Sequence, residues 1–419
     1  MMSHQAYFEF LAGSDHSSPA WHPVLGGLAV LRLIDSRLGG ETDAKNDWAS
    51  FESARNAVVV LKQGDPVRSI LLQLIDSVSI DDVNREAIGR GLIAYGRALN
   101  FEGRWGLACD VFGTADRIAG APHHVPISIE SNIALGAAAR RMTDWERSAH
   151  AYSRASHLAE TIGDRSSALL VEEGRATTHM VRGNLPAGEA VLAGVVEEAR
   201  ARGLNDVLGR ALHSQMSIHH QRGEYAEAVR VGHAALDVMT DLTARDGVLS
   251  DIAAAFGGMG MNEPARDGYL IVAATAQSQW VRWQATINLM ELAALDDREA
   301  DFLAFAGELE HAQLDPRLRA HYYIYLGGGQ QRFGNYAAAE TSIAEGQSIA
   351  EKNQLYQLAH EAAVALAALK SHAASQRALI APPAEVPLFL REIASELSDL
   401  REVAMSSPSR EGELNKGWF

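Results

Sequence analysis

Apolar residues recur along most of the chain at intervals of three and four, the spacing that places them on one face of an α-helix. The stretch 323–349 shows how such helices are joined. One amphipathic segment ends at Gly334, a second begins at Tyr336, and the small residues Gly327 and Gly346 lie where the two segments must touch. The pattern therefore predicts two closely packed helices that are joined by a tight turn.

The same helix-turn-helix unit recurs with a fixed period. Each of the first four copies carries a large residue after its turn, at Trp105, Trp145, Leu185 and Tyr225. These positions are 40 residues apart. Three less regular copies follow at 260–272, 278–312 and 323–349, and in the second of these Asp296 and Asp297 replace the glycine turn. Self-similarity at this period is typical of a helical solenoid, so we predict about seven repeats.

The repeat pattern resembles that of the tetratricopeptide repeat (TPR) family. In the first copy the matching positions are Gly96, Gly103, Trp105, Ala108, Phe112 and Ala115. The usual TPR period is about 34 residues, and a period of about 40 resembles the extended repeats of bacterial regulatory TPR proteins. The resemblance implies an all-α fold, a right-handed TPR-like helical solenoid in which the first helix of each repeat lines a concave groove.

Other segments flank the predicted repeats. The predicted organisation is a flexible arm at 1–17, an N-terminal helical bundle at 18–86, the TPR-like solenoid at 87–375, a linker at 376–385, a C-terminal helix at 386–404 and a disordered tail at 405–419. Leu390, Ile393 and Leu397 form an apolar stripe on the last helix. We expect this helix to cap or pack against the repeats; a dimer helix and a self-inhibiting plug are the alternatives.

Charge and composition narrow the range of partners. The chain has 37 basic and 53 acidic residues, a net charge of −16, and the basic residues of 18–86 are dispersed, so we expect no nucleic-acid partner. No run of about 18 uninterrupted apolar residues and no secretory signal is evident, so we expect no membrane partner and a cytoplasmic location. The single cysteine, Cys109, cannot form an internal disulfide.

Motifs that carry enzyme chemistry are missing from the sequence. There is no G-x-S-x-G, no H-E-x-x-H and no glycine-rich loop between a strand and a helix. The histidine pairs at 123–124 and 219–220 are adjacent, and adjacent residues of a helix point to different faces, so neither pair is spaced to chelate a metal. We therefore predict a non-enzymatic protein without a metal or a cofactor.

The TPR resemblance implies which side chains line the groove. The candidate peptide-binding residues are Arg90, Arg97, Phe101, Ile133, Arg140, Arg141, Met180, Arg210, His213, His220 and Arg332. Arginine binds carboxylates through a bidentate fork, which suits a peptide partner that carries acidic groups. The alternative is that these arginines pair with neighbouring Glu or Asp side chains between helices or are solvated on the surface.

The leading interpretation is an interaction scaffold or adaptor that binds a peptide, or an extended segment of a partner protein, in its concave groove. One alternative is a peptide-responsive TPR regulator whose N-terminal bundle acts on a target. A second is a self-assembling structural component, with an oligomer formed through the 386–404 helix. Fold alone does not choose among these functions.

Overall fold

The structure is a computed structural model that describes residues 4–14, 16, 20–38, 44–63, 65–79, 84–120, 124–312, 314–353, 355–371 and 382–406. Over these ranges the chain forms twenty α-helices and no β-strand. The helices form two compact units, Met1–Val191 (unit 1) and Leu192–Phe419 (unit 2). Within each unit, most helices that are consecutive in the chain pack against one another. The predicted all-α repeat fold is therefore confirmed.

Unit 1 begins with four helices that precede the repeats. They are α1 (Gln5–Gly13), α2 (Trp21–Leu38), α3 (Ala44–Val59) and α4 (Pro66–Ser79). The repeat helices of this unit are α5 (Arg85–Phe101), α6 (Trp105–Ala119), α7 (Val125–Arg141), α8 (Trp145–Ile162) and α9 (Arg165–Val181). The next helix, α10 (Leu185–Arg202), begins in unit 1 and ends in unit 2.

Unit 2 continues the alternation of first and second helices. Its helices are α11 (Asn205–Gln221), α12 (Tyr225–Val238), α13 (Leu242–Gly258), α14 (Asn262–Thr275), α15 (Gln279–Leu295), α16 (Glu299–Glu310), α17 (Pro316–Arg332), α18 (Tyr336–Lys352), α19 (Tyr356–Lys370) and α20 (Leu388–Ser406). The odd-numbered helices from α5 to α17 are the first helices of the repeats, and each contains 17 residues. This constant length lets equivalent positions be compared between repeats.

The repeats use two different periods. First helices begin at residues 85, 125, 165 and 205, which are 40 apart, and then at 242, 279 and 316, which are 37 apart. The shorter period follows from shorter second helices, because α12 and α14 have 14 residues and α16 has 12. This shortening explains why the fifth copy of the repeat arrives early in the sequence.

A left-handed residue ends the first helix of every repeat. Its φ angle is positive at Gly103, Thr143, Gly183, Gly223, Gly260, Asp297 and Gly334. At each turn the next amide donates a hydrogen bond to a carbonyl five residues earlier, as Asn335 N–H does to the Gln330 carbonyl at 2.8 Å. This bond closes a Schellman-type end and satisfies a carbonyl that the helix leaves unpaired. The structure thus places Asp297 in the conformation that glycine adopts in five of the other turns.

One continuous hydrophobic core joins the N-terminal helices to the first repeats in unit 1. Its buried members run from Tyr7 in α1 to Ala139 in α7 and include Leu74 of α4 and Leu92 of α5. The predicted limit at 86/87 falls inside this core and remains a prediction about domain organisation. In unit 2, buried clusters lie between α15, α16 and α17 and between α17, α18 and α19.

The predicted flexible arm at 1–17 contains a packed helix. Helix α1 contacts α2 and α6, and the side chains of His4 and Tyr7 are buried. Protonated His4 donates hydrogen bonds from Nδ1 to Asp110 and from Nε2 to Asp35, each 3.0 Å long. The expectation of a loose arm is therefore wrong for residues 5–13, because buried apolar and charged contacts fix this helix.

The C-terminal helix α20 packs along the second helices α12 and α14 of unit 2. The stripe residues Leu390, Ile393 and Leu397 are buried. Arg401 donates a 2.9 Å hydrogen bond to Asp267, a carboxylate that is only 7% exposed on α14. A buried carboxylate requires such a partner, which ties α20 to its own chain. The predicted tail from 407 onward and the linker residues 376–381 lie outside the described residues.

Candidate binding cleft

A cleft of about 420 Å³ opens on unit 2, between the first helices α15 and α17 and the helix α19, which follows the last repeat. Helix α18 contributes Ile343 to the same cleft. Apolar side chains form much of its lining, namely Ala294, Leu295, Ile324, Val364 and Ala365. A cleft of a few hundred cubic ångströms with an apolar lining and a few polar groups is the usual form of a ligand site.

Three consecutive glycines shape the cleft from α17. A Cβ atom at Gly327 would overlap Ile343 of α18, and one at Gly329 would overlap the ring of Phe302 of α16. A Cβ atom at Gly328 would meet no atom within 4 Å. Successive residues of a helix point about 100° apart, so the three positions face α18, the cleft and α16 in different directions. Gly327 and Gly329 permit close helix packing, whereas Gly328 leaves the cleft open.

Polar groups are placed along the cleft on α15, α17 and α19. Glu291 comes from α15, Gln331 and Arg332 from α17, and Gln357 and Glu361 from α19. Glutamine amides can both donate to and accept from a peptide backbone. The cleft therefore offers paired donors and acceptors beside an apolar lining.

Burial shifts the pKa values of ionisable groups in the cleft and beside it. Burial raises the pKa of the Glu361 carboxyl above its ordinary value. Burial also raises the pKa of the Tyr325 hydroxyl, and the nearby Glu361 charge adds to this effect. The ring of His321 lies 5.7 Å from that of Tyr325, and burial together with Arg317 lowers the pKa of His321 to about 4.

Arg332 is the one predicted site residue in this cleft. Its Nε and Nη2 atoms donate to the two carboxylate oxygens of Asp297 at 2.7 and 3.0 Å. This fork holds the pKa of Asp297 below its ordinary value. The guanidinium charge of Arg332 is thus already matched by a carboxylate of its own unit.

The other predicted residues of unit 2 also contact side chains of their own unit. Arg210 lies 3.8 Å from the Asp241 carboxylate, and His213 Nε2 lies 2.8 Å from that of Asp251. His220 makes an edge contact with Tyr225, with ring centroids 5.2 Å apart. These residues lie on α11, whereas the cleft lies on α15, α17 and α19.

In unit 1 the predicted arginines are held by nearby acceptors. Arg90 pairs with Glu86 on the same helix, and Arg97 Nη2 donates to Glu130 Oε1 of α7 at 2.7 Å. Arg140 Nη1 donates to the Gly174 carbonyl at 3.0 Å. Of these contacts, only that of Arg97 with Glu130 joins an arginine to a carboxylate of another helix, as the alternative describes.

The remaining predicted residues of unit 1 divide between core and surface. Met180 is 5% exposed and lies against Gly188, where the absence of a side chain leaves room for it. Ile133 packs against two small buried clusters of α7, α8 and α9. Met180 is therefore a core residue and its assignment to an open groove is wrong, while Phe101 is 38% exposed and Arg141 is exposed.

The sequence reading missed most residues of the cleft. The predicted site residues include none on α19, although Gln357, His360 and Glu361 of this helix line the cleft. The run of glycines at 327–329 was the available signal, because three small residues cannot all be needed for one helix contact.

The described ranges contain neither a cluster of metal-binding side chains nor a helix that could span a membrane. No group of three or more His, Cys, Asp or Glu side chains there is placed to hold a metal ion. No helix in those ranges is both long and apolar enough to cross a membrane.

Comparisons with known proteins find structural likenesses but no match in sequence. No family model matches the chain, and no curated protein sequence matches it. The chain is similar to a solved structure described as "Crystal Structure of Rap Protein Complexed with Competence and Sporulation Factor". The match covers 84% of this chain and 98% of that chain, with 13% sequence identity and a TM-score of 0.36.

Proposed function

We propose that this protein binds a short peptide, or an extended segment of a partner protein, in the cleft between α15, α17 and α19. The observation that carries the proposal is the lining of that cleft. An apolar surface accepts side chains, and the amides of Gln331 and Gln357 can satisfy the backbone of an extended chain. Such groups are suited to binding a partner, and the protein acts as an interaction module in this proposal.

The size and lining of the cleft favour a peptide as the ligand rather than the flat surface of another protein. Its volume of about 420 Å³ holds a few side chains, and its lining comes from three neighbouring helices. An extended segment can cross such helices and place successive side chains between them. The groove arginines of the sequence-based prediction contribute less, because Arg97, Arg210 and Arg332 each lie within 4 Å of a carboxylate of their own unit.

A steric block at Gly328 tests the proposal. Gly328→Trp should fill the cleft without disturbing the core, since a side chain there meets open space. Gly307→Trp on α16 is the matched control, because that glycine is also unobstructed and does not line the cleft. Randomised, fluorescently labelled decapeptides would be titrated with each protein and followed by anisotropy.

The expected result is binding by wild type and by Gly307→Trp, with a loss of at least about tenfold in Gly328→Trp, which is the effect of losing roughly one good anchoring contact. Circular dichroism of both variants reports whether the helices remain intact. Equal binding by the two variants would show that peptides attach elsewhere and would overturn the proposal.

A further inference from the structure

Five residues of the cleft lining are glycine or alanine, and they come from three helices. Ala294 lies on α15, Gly328 and Gly329 lie on α17, and Ala365 and Ala368 lie on α19. Helix α17 packs against both α15 and α19, so the cleft is not a gap between separated helices. Its volume of about 420 Å³ exists because the side chains at these positions are short.

Exposure divides the lining into an apolar interior and a polar rim. The buried members of the lining are all apolar, namely Ala294, Ile324, Gly329, Ile343 and Ala368. The rim consists of the polar and charged members, which are exposed or half-buried, namely Glu291, Gln331, Arg332, Gln357, His360 and Glu361. A ligand group that enters the cleft therefore passes polar side chains and ends against apolar ones.

The charged groups of the rim are already engaged within the protein. Arg332 donates two hydrogen bonds to the Asp297 carboxylate. Glu291 and Glu361 also interact with other groups of the protein. A charged ligand group in the interior would lose its hydration there, and the charges nearest to it are those that already have partners. Burial of a charge under these conditions is unfavourable, so the interior favours an uncharged ligand group.

The volume of the cleft indicates the size of that group. An apolar protein cavity of about 150 Å³ is large enough to hold a benzene ring. The cleft, at about 420 Å³, has room for a six-membered ring together with the atoms that join it to a peptide backbone. Tyr325 also lines the cleft, and aromatic rings attract one another when they meet edge to face or offset. These properties favour an aromatic side chain over a small aliphatic one.

We infer that the cleft recognises its peptide ligand through one aromatic side chain, which enters beside Gly328 and is buried against Ile324, Ile343 and Ala368. The inference rests on the proposed function and specifies the class of peptide. The rim amides of Gln331 and Gln357 then serve the peptide backbone on either side of the ring. The ligand group in this account is uncharged, whereas the sequence alone suggested acidic groups bound by arginines.

Four capped decapeptide pools test the inference. They share randomised positions drawn from alanine, serine, threonine and glutamine, and they differ only in a central phenylalanine, alanine, arginine or glutamate. Wild type should bind the phenylalanine pool at least about tenfold more tightly than the alanine pool, because burial of the ring removes a large apolar surface from water. The arginine and glutamate pools should bind no more tightly than the alanine pool.

Two variants assign that preference to the cleft. Ala365→Leu and Gly328→Leu each place an aliphatic side chain in the cleft, and each should bring the phenylalanine-to-alanine affinity ratio close to one. Ala363→Leu is the matched control, because Ala363 lies on the same helix as Ala365 but is exposed and does not line the cleft. It should keep the wild-type ratio. The two cleft substitutions lie on different helices, so either one that retains the wild-type circular dichroism decides the assignment.

The failure of this inference is distinguishable from the failure of peptide binding itself. Equal affinities for the phenylalanine and alanine pools, together with loss of both in Gly328→Trp, would overturn the aromatic ligand group and leave peptide binding in place. Tighter binding of the arginine or the glutamate pool than of the phenylalanine pool would overturn the uncharged ligand group. A wild-type ratio in folded Ala365→Leu or Gly328→Leu would show that the ring binds elsewhere. Absence of binding to all four pools would contradict both proposals.

Discussion

Helix α5 of unit 1 and helix α17 of unit 2 share their length and their type of turn but differ at the thirteenth residue. Both contain 17 residues and end at a turn with a left-handed residue. In α5 the thirteenth residue is Arg97, whose guanidinium donates to Glu130 of α7. In α17 it is Gly328, which has no side chain and borders the cleft. The turns and the packed glycines thus set the same backbone in both helices, and the cleft borders the one that lacks a side chain at this position.

The largest expected effect is on the pH dependence of the free energy of unfolding, which should differ between a variant of unit 1 and a variant of unit 2. Burial alone would lower the pKa of His4, but hydrogen bonds to Asp110 and Asp35 and their charges outweigh it and raise the pKa to about 9. The ordinary histidine pKa is about 6.5. His4 therefore contributes up to about 3 kcal/mol to the free energy of unfolding below about pH 6.5, and this contribution is lost as the pH rises to about 9. His4→Gln should therefore destabilise the protein most near pH 6 and least above about pH 9.

Unit 2 should show the opposite dependence. Because the pKa of His321 is lowered to about 4, folding favours its neutral form, and its contribution is complete above about pH 6.5 and declines as pH falls toward 4. His321→Gln should gain stability relative to wild type between about pH 7 and 5. Urea denaturation at several pH values measures both differences, and parallel pH profiles for wild type and either variant would contradict the assigned shift.

A smaller effect distinguishes neighbouring glycines of α17. Gly329→Ala should cost about 2 kcal/mol, because its methyl group overlaps the buried Phe302 ring. Gly328→Ala should instead stabilise by about 0.5–1 kcal/mol, since alanine is the better helix former and meets only open space. Urea denaturation of the two variants provides the comparison. Equal costs would mean that Gly328 is also packed and that the cleft is not open at this point.

The smallest effect is expected in unit 1. Arg97→Ala should change the free energy of unfolding by less than about 1 kcal/mol, because the Arg97 side chain is 62% exposed and exposed ion pairs contribute little. The same variant should bind the randomised decapeptides as tightly as wild type does. Loss of peptide binding in this variant, with unfolding unaffected, would return the ligand site to the arginines of unit 1.

The helices and turns followed from sequence because their signals are local. Helical periodicity and the glycine positions define the repeats, and even the exception at Asp297 was visible as a turn without glycine. The partners of the arginines are not local. Arg97 and Glu130 are 33 residues apart, Arg332 and Asp297 are 35 apart, and His213 and Asp251 are 38 apart. Each pair joins one repeat to the next, but the separations differ from the 40- or 37-residue period by up to seven residues, so the period alone does not predict them.

The open cleft could not be predicted in the same way. Whether a glycine in 327–329 faces α18, α16 or the cleft depends on which helices lie on each side of α17. The packing of residues 5–13 could not be predicted for a similar reason. The hydrogen bond between His4 and Asp110 joins residues that are 106 positions apart in the chain. Both features depend on tertiary packing that overrides the local pattern.

Hydrogen exchange measured by mass spectrometry on the full chain, with and without the decapeptide that binds wild type most tightly, tests the central claim most directly. Our account predicts slower exchange in α17 and α19 on peptide addition and unchanged exchange in α5 and α7. Protection in α5 and α7 alone, or no protection in α17 and α19 under saturating peptide, would contradict it.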